Sequence, residues 1–108
     1  MKKYYDTRID GELAFLDVEK IDEKTFSIAN FIVPHEFRGK GVGSKLLNEA
    51  ISDADKECVT LTLTARPYAT DNKEELEKLK SFYEKFGFER KRGSNIMIRE
   101  SNCNLYKL

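Results

Sequence analysis

The sequence predicts a single domain of the α/β (α+β) class over residues 1–108, built on a mixed, twisted sheet. The 108 residues, of which 40% are hydrophobic and 11% aromatic, are enough for one core but not for two. Three alternating segments at the start predict an antiparallel meander, and a strand–helix–strand unit follows them. Together these observations predict the order β-β-β-α-β-α-β, with a possible further strand at the end.

The first three strands are predicted by alternation and by turn residues. Asp10-Gly11 separates Tyr4–Ile9 from Glu12–Glu19, and Asp-Gly favours a two-residue hairpin because both positions tolerate positive φ. A polar turn at Lys20–Lys24 precedes Thr25–Val33, which reads TFSIANFIV. This segment is mostly apolar on both faces, a pattern typical of a central strand that is covered on both sides.

The second half of the chain alternates helices with short strands. Apolar residues at helical spacing predict helices over Gly43–Lys56 and Glu74–Phe86, the second of them stopped by Gly87. Between them, Val59–Ala65 is predicted as a β-branched strand, followed by a loop at Pro67–Lys73. Further short strands are predicted at Phe88–Lys91, Ile96–Glu100 and Asn104–Leu108.

Composition argues against several classes of function. The 19 basic and 19 acidic residues give a net charge of zero, whereas a general nucleic-acid binder carries a basic excess. No apolar run approaches the roughly 20 residues that cross a bilayer, and Met1–Asp6 lacks the apolar core of a signal peptide. We therefore expect a soluble, cytoplasmic protein without nucleic-acid or membrane partners. Cys58 and Cys103 have no metal-binding spacing, so we expect reduced thiols and no metal.

The most informative segment is Val33–Leu47, VPHEFRGKGVGSKLL, where the third strand meets the first helix. Glycines at alternate positions leave main-chain N–H groups uncovered, so an anion can approach them closely. The helix dipole, Arg38, Lys40 and Lys45 add positive charge. The spacing fits neither a P-loop nor the GxGxxG dinucleotide fingerprint, and it predicts a phosphate or pyrophosphate site. The predicted binding residues are Arg38, Gly39, Lys40, Gly41, Val42, Gly43 and Ser44.

Two motifs carry a family resemblance. Arg38–Gly43 has the form R-x-x-G-x-G and resembles the pyrophosphate-binding signature [QR]-x-x-G-x-[GA] of the GNAT superfamily of N-acetyltransferases. Ser81–Glu89, SFYEKFGFE, is similar to the [LF]-Y-x-x-x-G-F segment that ends the last helix in that family. The resemblance covers roughly Phe26–Phe88, well over half of the chain. It implies a GNAT-like fold with a βαβ acyl-CoA unit, and acetyl-CoA as co-substrate. It also implies transfer of the acetyl group to a primary amine by direct attack in a ternary complex.

The resemblance implies that Tyr83 is catalytic, because this tyrosine often lies near the thioester sulfur in the family. A phenol with a pKa of about 10 is protonated at neutral pH and can donate to a leaving thiolate. Considered without the resemblance, Tyr83 shares a helix face with Leu76 and Leu79, and a core tyrosine is the preferred interpretation. The family also binds the pantetheine arm between the two parallel strands, here Thr25–Val33 and Val59–Ala65. Main-chain contacts and an oxyanion hole are therefore implied at Phe31, Ile32 and Val33.

The general base stays open at this point. Candidates near the central strand are Asp17, Glu19, His35 and Glu36, and a water chain is the alternative. For His35, the only histidine, solvent exposure or phosphate contact is the preferred interpretation. Many relatives also place an asparagine two turns before the tyrosine, but Leu76 occupies that position here, so this contact is not carried over.

The acceptor stays open as well. The chain lacks the two helices that cover the acceptor site in typical relatives, so we expect an open cleft. Such a cleft suits a protein side chain or terminus, or completion by a second subunit in a homodimer, and a small amine is the other acceptor class that stays open. The alternative is a catalytically degenerate CoA-binding interaction module. Asp71, Glu74, Glu75 and Glu77 are candidates for attracting a cationic acceptor, although a solvated helix face is the preferred interpretation.

Overall fold

The computed structural model describes residues 1–66 and 72–103, which form one six-stranded mixed sheet and two α-helices. The strand order is β1-β2-β3-β4-β6-β5, in which only β3 and β4 pair in parallel. The predicted class, a mixed sheet with an antiparallel N-terminal meander, is confirmed. The elements are β1 (Tyr4–Ile9), β2 (Glu12–Asp22), β3 (Thr25–Ile32), α1 (Val42–Glu57), β4 (Thr60–Thr64), α2 (Lys73–Glu84), β5 (Glu89–Arg90) and β6 (Ile96–Arg99).

The first hairpin forms as its turn residues predict. Ile9 faces Glu12 across the hairpin, and Asp10 and Gly11 have φ of 50° and 83°, as a two-residue turn of this hand requires. The second turn is shorter than predicted, because β2 continues to Asp22. The side chains of its last residues are exposed and mostly polar, but main-chain pairing with β3 continues there. The carboxylate of Asp22 accepts a hydrogen bond from the Lys24 N–H at 2.8 Å and closes this turn.

Helix α1 packs its apolar stripe onto the sheet. Leu46, Leu47, Ala50, Ile51 and Ala54 are all buried, as their helical spacing predicts. The helix extends one residue beyond the predicted range at each end. Its C-terminal end is closed by Cys58 in the left-handed conformation (φ 58°), whose N–H donates toward the carbonyls of Ala54 and Asp55.

Helix α2 begins earlier and ends earlier than predicted. Its first turn is capped by Asn72, whose side chain accepts from the Glu74 N–H at 2.8 Å, so Lys73 is helical rather than part of a loop. Gly87 (φ 94°) ends it as expected, in a turn where the Phe88 N–H donates to the Tyr83 carbonyl at 3.3 Å. Because this turn uses two residues before the glycine, the helix stops at Glu84. Residues 67–71 of the predicted loop and the predicted strand 104–108 lie outside the described residues.

Both helices lie on one face of the sheet, and this corrects the prediction of a doubly covered third strand. In β3 only Phe26 and Ile28 are buried, while Asn30 and Ile32 are exposed. Within residues 1–66 and 72–103, no element covers the opposite face of β1–β4. The apolar side chains on that face misled the prediction, since a strand with apolar residues on both sides is not necessarily covered on both sides.

A buried ion pair fastens the C-terminal part of α1 to β6. The Arg99 guanidinium donates to both carboxylate oxygens of Asp55, at 2.7 and 3.1 Å, and to the Phe86 carbonyl at 2.7 Å. Asp55 also accepts from the Asn102 N–H at 2.9 Å. Burial acts to raise the pKa of Asp55, but hydrogen bonds from Arg99 and Asn102 outweigh it, so the pKa is lowered. This pair joins α1, the end of α2 and the sheet at one point.

The remaining short elements match their predictions within one residue or two. Strands β5 and β6 lie inside the predicted Phe88–Lys91 and Ile96–Glu100, and β4 lies inside Val59–Ala65. Cys58 and Cys103 are both thiols. Neither described helix has the length and apolar character needed to cross a membrane.

Candidate active site

The glycine-rich turn forms a main-chain cradle at the start of α1. A short 3₁₀ helix, His35–Phe37, leads into it, and the Arg38 Nε donates to the Val33 carbonyl at 3.1 Å. Gly39 and Gly41 have φ of 76° and 85°, a region that favours glycine over every other residue. Gly43 has a different reason to be glycine, because a Cβ there would lie 3.3 Å from the Phe31 ring. The first two glycines shape the turn, and the third brings the helix against β3.

The N-terminal end of α1 has uncapped N–H groups. Gly41 occupies the cap position, no side chain bonds to the first turn, and that turn contains no acidic residue. The orphan N–H groups of a helix start and the positive end of its dipole therefore remain available to an anion. This arrangement fits the phosphate site that the sequence predicts.

A cavity of about 470 Å³ extends from this cradle along α2. Eight of the ten predicted cofactor-binding residues line it: Phe31, Ile32, Val33, Arg38, Gly39, Gly41, Gly43 and Ser44. The side chains of Lys40 and Val42 do not. The Lys40 ammonium lies 5.9 Å from the centre of the Phe37 ring, and Val42 packs against the core.

Several lining residues were missed by the sequence reasoning. Arg66 follows β4, and the carboxyl ends of the parallel strands β3 and β4 meet at one edge of the sheet. That rule was a usable signal for Arg66. Lys78 lines the cavity from α2, where the charged pattern of the helix does not distinguish it from a solvated residue, and Leu79, predicted on the face of Tyr83, lines it as well. Arg66 and Lys78 add two cationic side chains to the cavity beyond Arg38.

Strands β3 and β4 separate beside this cavity. They pair only at Thr25–Thr60, Phe26–Leu61 and Ser27–Thr62. From Ile28 onward β3 has no ladder partner on β4, and β3 carries an extra residue, Ala29, in its pairing with β2. Main-chain groups of the segment ending in Phe31 and Ile32 are therefore available on that side. An extended ligand can bind there as an added strand.

Tyr83 lies at the inner end of the cavity. It is only 7% exposed, and its ring packs against Phe31, Phe82 and Phe88 with centroids 6.4, 5.4 and 5.7 Å away. Burial raises the pKa of Tyr83 to about 12, so the phenol is protonated at neutral pH. Among the described residues no group hydrogen-bonds to its hydroxyl, yet no fully buried side-chain oxygen is left unpartnered. The hydroxyl therefore opens onto the cavity as an available donor.

The candidates for a general base lie in different places. The Asp17 carboxylate accepts from the main-chain N–H of Asn30 at 2.9 Å and from the Asn30 side-chain amide at 3.2 Å, beside the separated part of β3. Glu36 lies against Glu12, and a hydrogen bond between the two is the largest factor that raises the pKa of Glu12. Glu19 is exposed on β2, and His35 is exposed without lining the cavity. Of the four, Asp17 is the one whose side chain bonds to β3, through Asn30 in the part of that strand that has no described ladder partner on β4.

The acidic residues of α2 that were candidates for attracting a cationic acceptor also lie in different places. Glu75 lines the cavity and lies 3.5 Å from the Lys78 ammonium. Glu77 is turned to Arg90, whose hydrogen bond lowers the pKa of this carboxyl. Leu76 packs against the core, consistent with a position that does not contact a cofactor arm. Asp71 lies outside the described residues.

A second concavity, of about 560 Å³, lies at the β5–β6 connection and is lined by Lys80 and residues 90–95. Arg90, its central cation, is paired with Glu77 and Glu84 at 2.7 and 3.1 Å. Its described lining residues are mostly basic and include no carboxylate, histidine or thiol. In the described part of the chain no cluster of three metal-ligating side chains occurs either.

Comparison with known proteins decides the family. The model of the acetyltransferase (GNAT) domain matches residues 4–90. The chain belongs to the GNAT family of acetyltransferases. This GNAT domain includes the glycine turn, α2 and Tyr83 within the matched range, as the two motifs predicted. No curated protein matches the sequence significantly.

Solved structures of similar fold support the same assignment. Ard1 from Thermoplasma volcanium is 27% identical with a TM-score of 0.62, over 85% of this chain and 66% of that one. The anti-CRISPR protein AcrVA5 is 22% identical with a TM-score of 0.61, over 90% of this chain and 98% of that one. A GNAT family acetyltransferase from Elizabethkingia anophelis, solved with acetyl-CoA bound, is 18% identical with a TM-score of 0.67, over 90% of this chain and 74% of that one.

Proposed function

We propose that this protein transfers an acetyl group from acetyl-CoA to a primary amine on a small molecule or a protein. The observation that carries the proposal is one cavity that connects the uncapped start of α1 with the hydroxyl of Tyr83. Among proteins of similar fold, two are named as the ribosomal-protein-S18-alanine N-acetyltransferase from Escherichia coli and an aminoglycoside 6'-N-acetyltransferase. Both names specify an amine acceptor, one in a protein and one in a small molecule.

The residues present fit coenzyme A. The N–H groups at the start of α1, together with Arg38, suit its pyrophosphate, and Arg66 and Lys78 provide further positive charge. The separated edge of β3 suits a pantetheine arm bound in extended form. Bound acetyl-CoA supplies an activated acyl carbon on a thiol leaving group. In this proposal, main-chain N–H groups near Phe31–Val33 polarise its carbonyl.

In the proposed reaction, a neutral amine nitrogen forms a bond to the acetyl carbon and the carbon–sulfur bond breaks. The amine loses a proton to a base or to water, and the leaving sulfur gains one from the Tyr83 hydroxyl. Tyr83 then recovers a proton from solvent. Burial raises the pKa of Tyr83 to about 12, so the group carries its proton at neutral pH before each cycle, but the shift also makes it a weaker acid.

Replacement of one hydroxyl tests the role of Tyr83. In Tyr83→Phe, the packing of the ring is kept and the donor is lost, so we expect turnover to fall by about a hundredfold with unchanged coenzyme A affinity. Turnover is measured as thiol released from acetyl-CoA in the presence of amines. Tyr5→Phe is the matched control, since Tyr5 is also buried but bonds to Asp53 at 2.6 Å, away from the cavity.

Two results would count against the proposal. Equal turnover in Tyr83→Phe and the wild type would remove Tyr83 from the acid role. Tight coenzyme A binding without acetyl transfer to any amine, in either a small-molecule or a peptide panel, would favour the alternative of a catalytically inactive CoA-binding interaction module.

A further inference from the structure

The uncovered face of the sheet carries an apolar patch next to the proposed active site. Register places Tyr4, Leu13, Phe15 and Ile32 on this face, and we call these four residues the outer patch. The rings of Tyr4 and Phe15 stack with centroids 5.7 Å apart, and Phe15 lies directly opposite Ile32. Tyr4 and Ile32 are 45% and 41% exposed. Exposed apolar side chains that adjoin one another in this way mark a surface that binds a partner.

The outer patch is continuous with the cavity. Ile32 belongs to the patch and also lines the cavity that contains Tyr83. It lies in the part of β3 that has separated from β4, so the gap between these strands is the passage between the two faces of the sheet. A molecule that reacts in the cavity and approaches from the uncovered face therefore passes beside Ile32.

The charge on this face suits a cation. Asp17 shares the face with Phe15 and is held in place by both N–H donors of Asn30. Alternation places Asp6 and Glu19 on the same face. Arg8 shares this face at the hairpin end, where it pairs with Leu13 and its guanidinium lies 3.4 Å from the Gly11 carbonyl. An ammonium group is attracted to Asp17 more strongly than a neutral or anionic group.

We propose that the acceptor is a polypeptide, which packs an apolar side chain on the outer patch and presents its amine beside Asp17. This inference rests on the proposed acetyl transfer and specifies its substrate class. A small amine that fills the cavity alone would meet the outer patch only at Ile32 and would leave Tyr4, Leu13 and Phe15 uncontacted. A second copy of the chain is a poor fit, because a stable dimer buries about 800 Å² per partner, far more than the exposed parts of four side chains offer.

The test uses ten-residue peptides with one lysine and a free N-terminus, flanked at the lysine and at the terminus by either leucine or serine. Lysine amide is the small-amine probe. We expect kcat/KM to be about tenfold higher for the leucine peptide than for the serine peptide, the worth of one buried apolar side chain. Tyr4→Ser should bring that ratio close to one and leave lysine amide unaffected. Ile21→Ser, at a position 58% exposed and outside the patch, should keep the ratio.

The carboxylate is tested separately. Asp17→Asn keeps the size of the side chain and removes its charge, so we expect KM to rise about tenfold for the leucine peptide. Glu23→Gln, in the exposed turn after β2, is the control and should match the wild type. Binding of the labelled leucine peptide, followed by fluorescence anisotropy with coenzyme A present, gives a readout that does not depend on turnover.

The outcomes separate the two proposals. Equal kcat/KM for both peptides, or the same ratio in Tyr4→Ser and Ile21→Ser, would overturn the polypeptide acceptor while the acetyltransferase proposal stands. No acetyl transfer to any amine, together with peptide binding that Tyr4→Ser weakens, would overturn the acetyl transfer and keep the outer patch as a peptide-binding surface. A dimer in sedimentation that Tyr4→Ser dissociates would also overturn the polypeptide acceptor, because a second copy would then occupy the patch.

Discussion

The two ends of helix α1 are built in opposite ways. At its start, Gly41 caps the helix without a side-chain hydrogen bond, and no acidic residue offsets the positive end of the dipole. At its other end, Cys58 turns back onto the last carbonyls, and Asp55 is bound by Arg99 and Asn102. One end has uncapped backbone donors, and the other has its polar groups bonded within the protein.

This difference separates binding from stability along a single element. An uncapped helix start gives up roughly 1 kcal/mol of capping, and its N–H groups can instead contact a ligand anion. The buried pair at the far end fixes the helix on the sheet, so the cradle keeps its place against Phe31. Changes at one end should therefore alter stability with little effect on binding, and changes at the other end should do the reverse.

The largest expected effect is a loss of stability, caused by a change at the C-terminal end of α1. Arg99→Met removes the partner of a buried carboxylate, and we expect the free energy of unfolding to fall by about 3–5 kcal/mol, measured by urea denaturation. Where the variant remains folded, its affinity for coenzyme A should be that of the wild type. Arg90→Met is the control, because Arg90 pairs with Glu77 and Glu84 at the surface and should cost much less. A loss no larger than that of the control would remove Asp55–Arg99 from its structural role.

At the N-terminal end of α1, Gly41→Glu places a carboxylate in the anion cradle, at a residue with φ of 85°. Repulsion between like charges costs several kcal/mol, so we expect coenzyme A affinity to fall by roughly a hundredfold or more in isothermal titration calorimetry. Gly93→Glu is matched to it, since Gly93 has φ of 74° and a Cβ there also meets nothing within 4 Å. Both substitutions carry the same backbone strain, and only the first should weaken binding. An equal loss in the two variants would mean that strain, not the cradle, is responsible.

A smaller effect should appear in the pH dependence of stability. The pKa of Asp55 is lower in the folded protein than the value of about 3.9 expected for an unfolded chain. As the pH falls, the unfolded state therefore binds the proton before the folded state does. The contribution of Asp55 to the free energy of unfolding is complete above about pH 3.9, and it is lost as the pH falls through the pKa of the folded state. One such group contributes at most about 1.4 kcal/mol per pH unit. Chemical denaturation between pH 5 and 2 should show a flatter acid slope in Asp55→Asn, and identical slopes would contradict the assignment.

Prediction from short sequence patterns succeeded where the residues of one segment determine its local structure. Asp10-Gly11 fixed the first hairpin, Gly87 marked the end of α2 within a few residues, and the glycine turn was placed between β3 and α1. The family signatures added Tyr83, whose role cannot be distinguished from core packing by periodicity alone. Eight of ten predicted cofactor-binding residues then meet in one cavity.

The failures concern relations between distant segments. Whether Ile32 is covered depends on the face of the sheet on which both helices pack, and the sequence of β3 alone does not determine that face. Arg66 and Lys78 reach the cavity because β4 and α2 converge there, although each has the local sequence of a solvated residue. Asp17 was one of four candidates, and only its bonds to Asn30 showed that it is attached to the part of β3 that is not paired with β4.

Amide chemical-shift mapping with coenzyme A tests the central claim most directly. In a titration of the ¹⁵N-labelled protein, we expect the largest shift changes at Gly39, Gly41, Gly43 and Ser44, with small changes at Asp55, Cys58 and Asn102. Shift changes confined to residues 90–95, or amides of the glycine turn that stay in place at saturation, would contradict a coenzyme site at the start of α1.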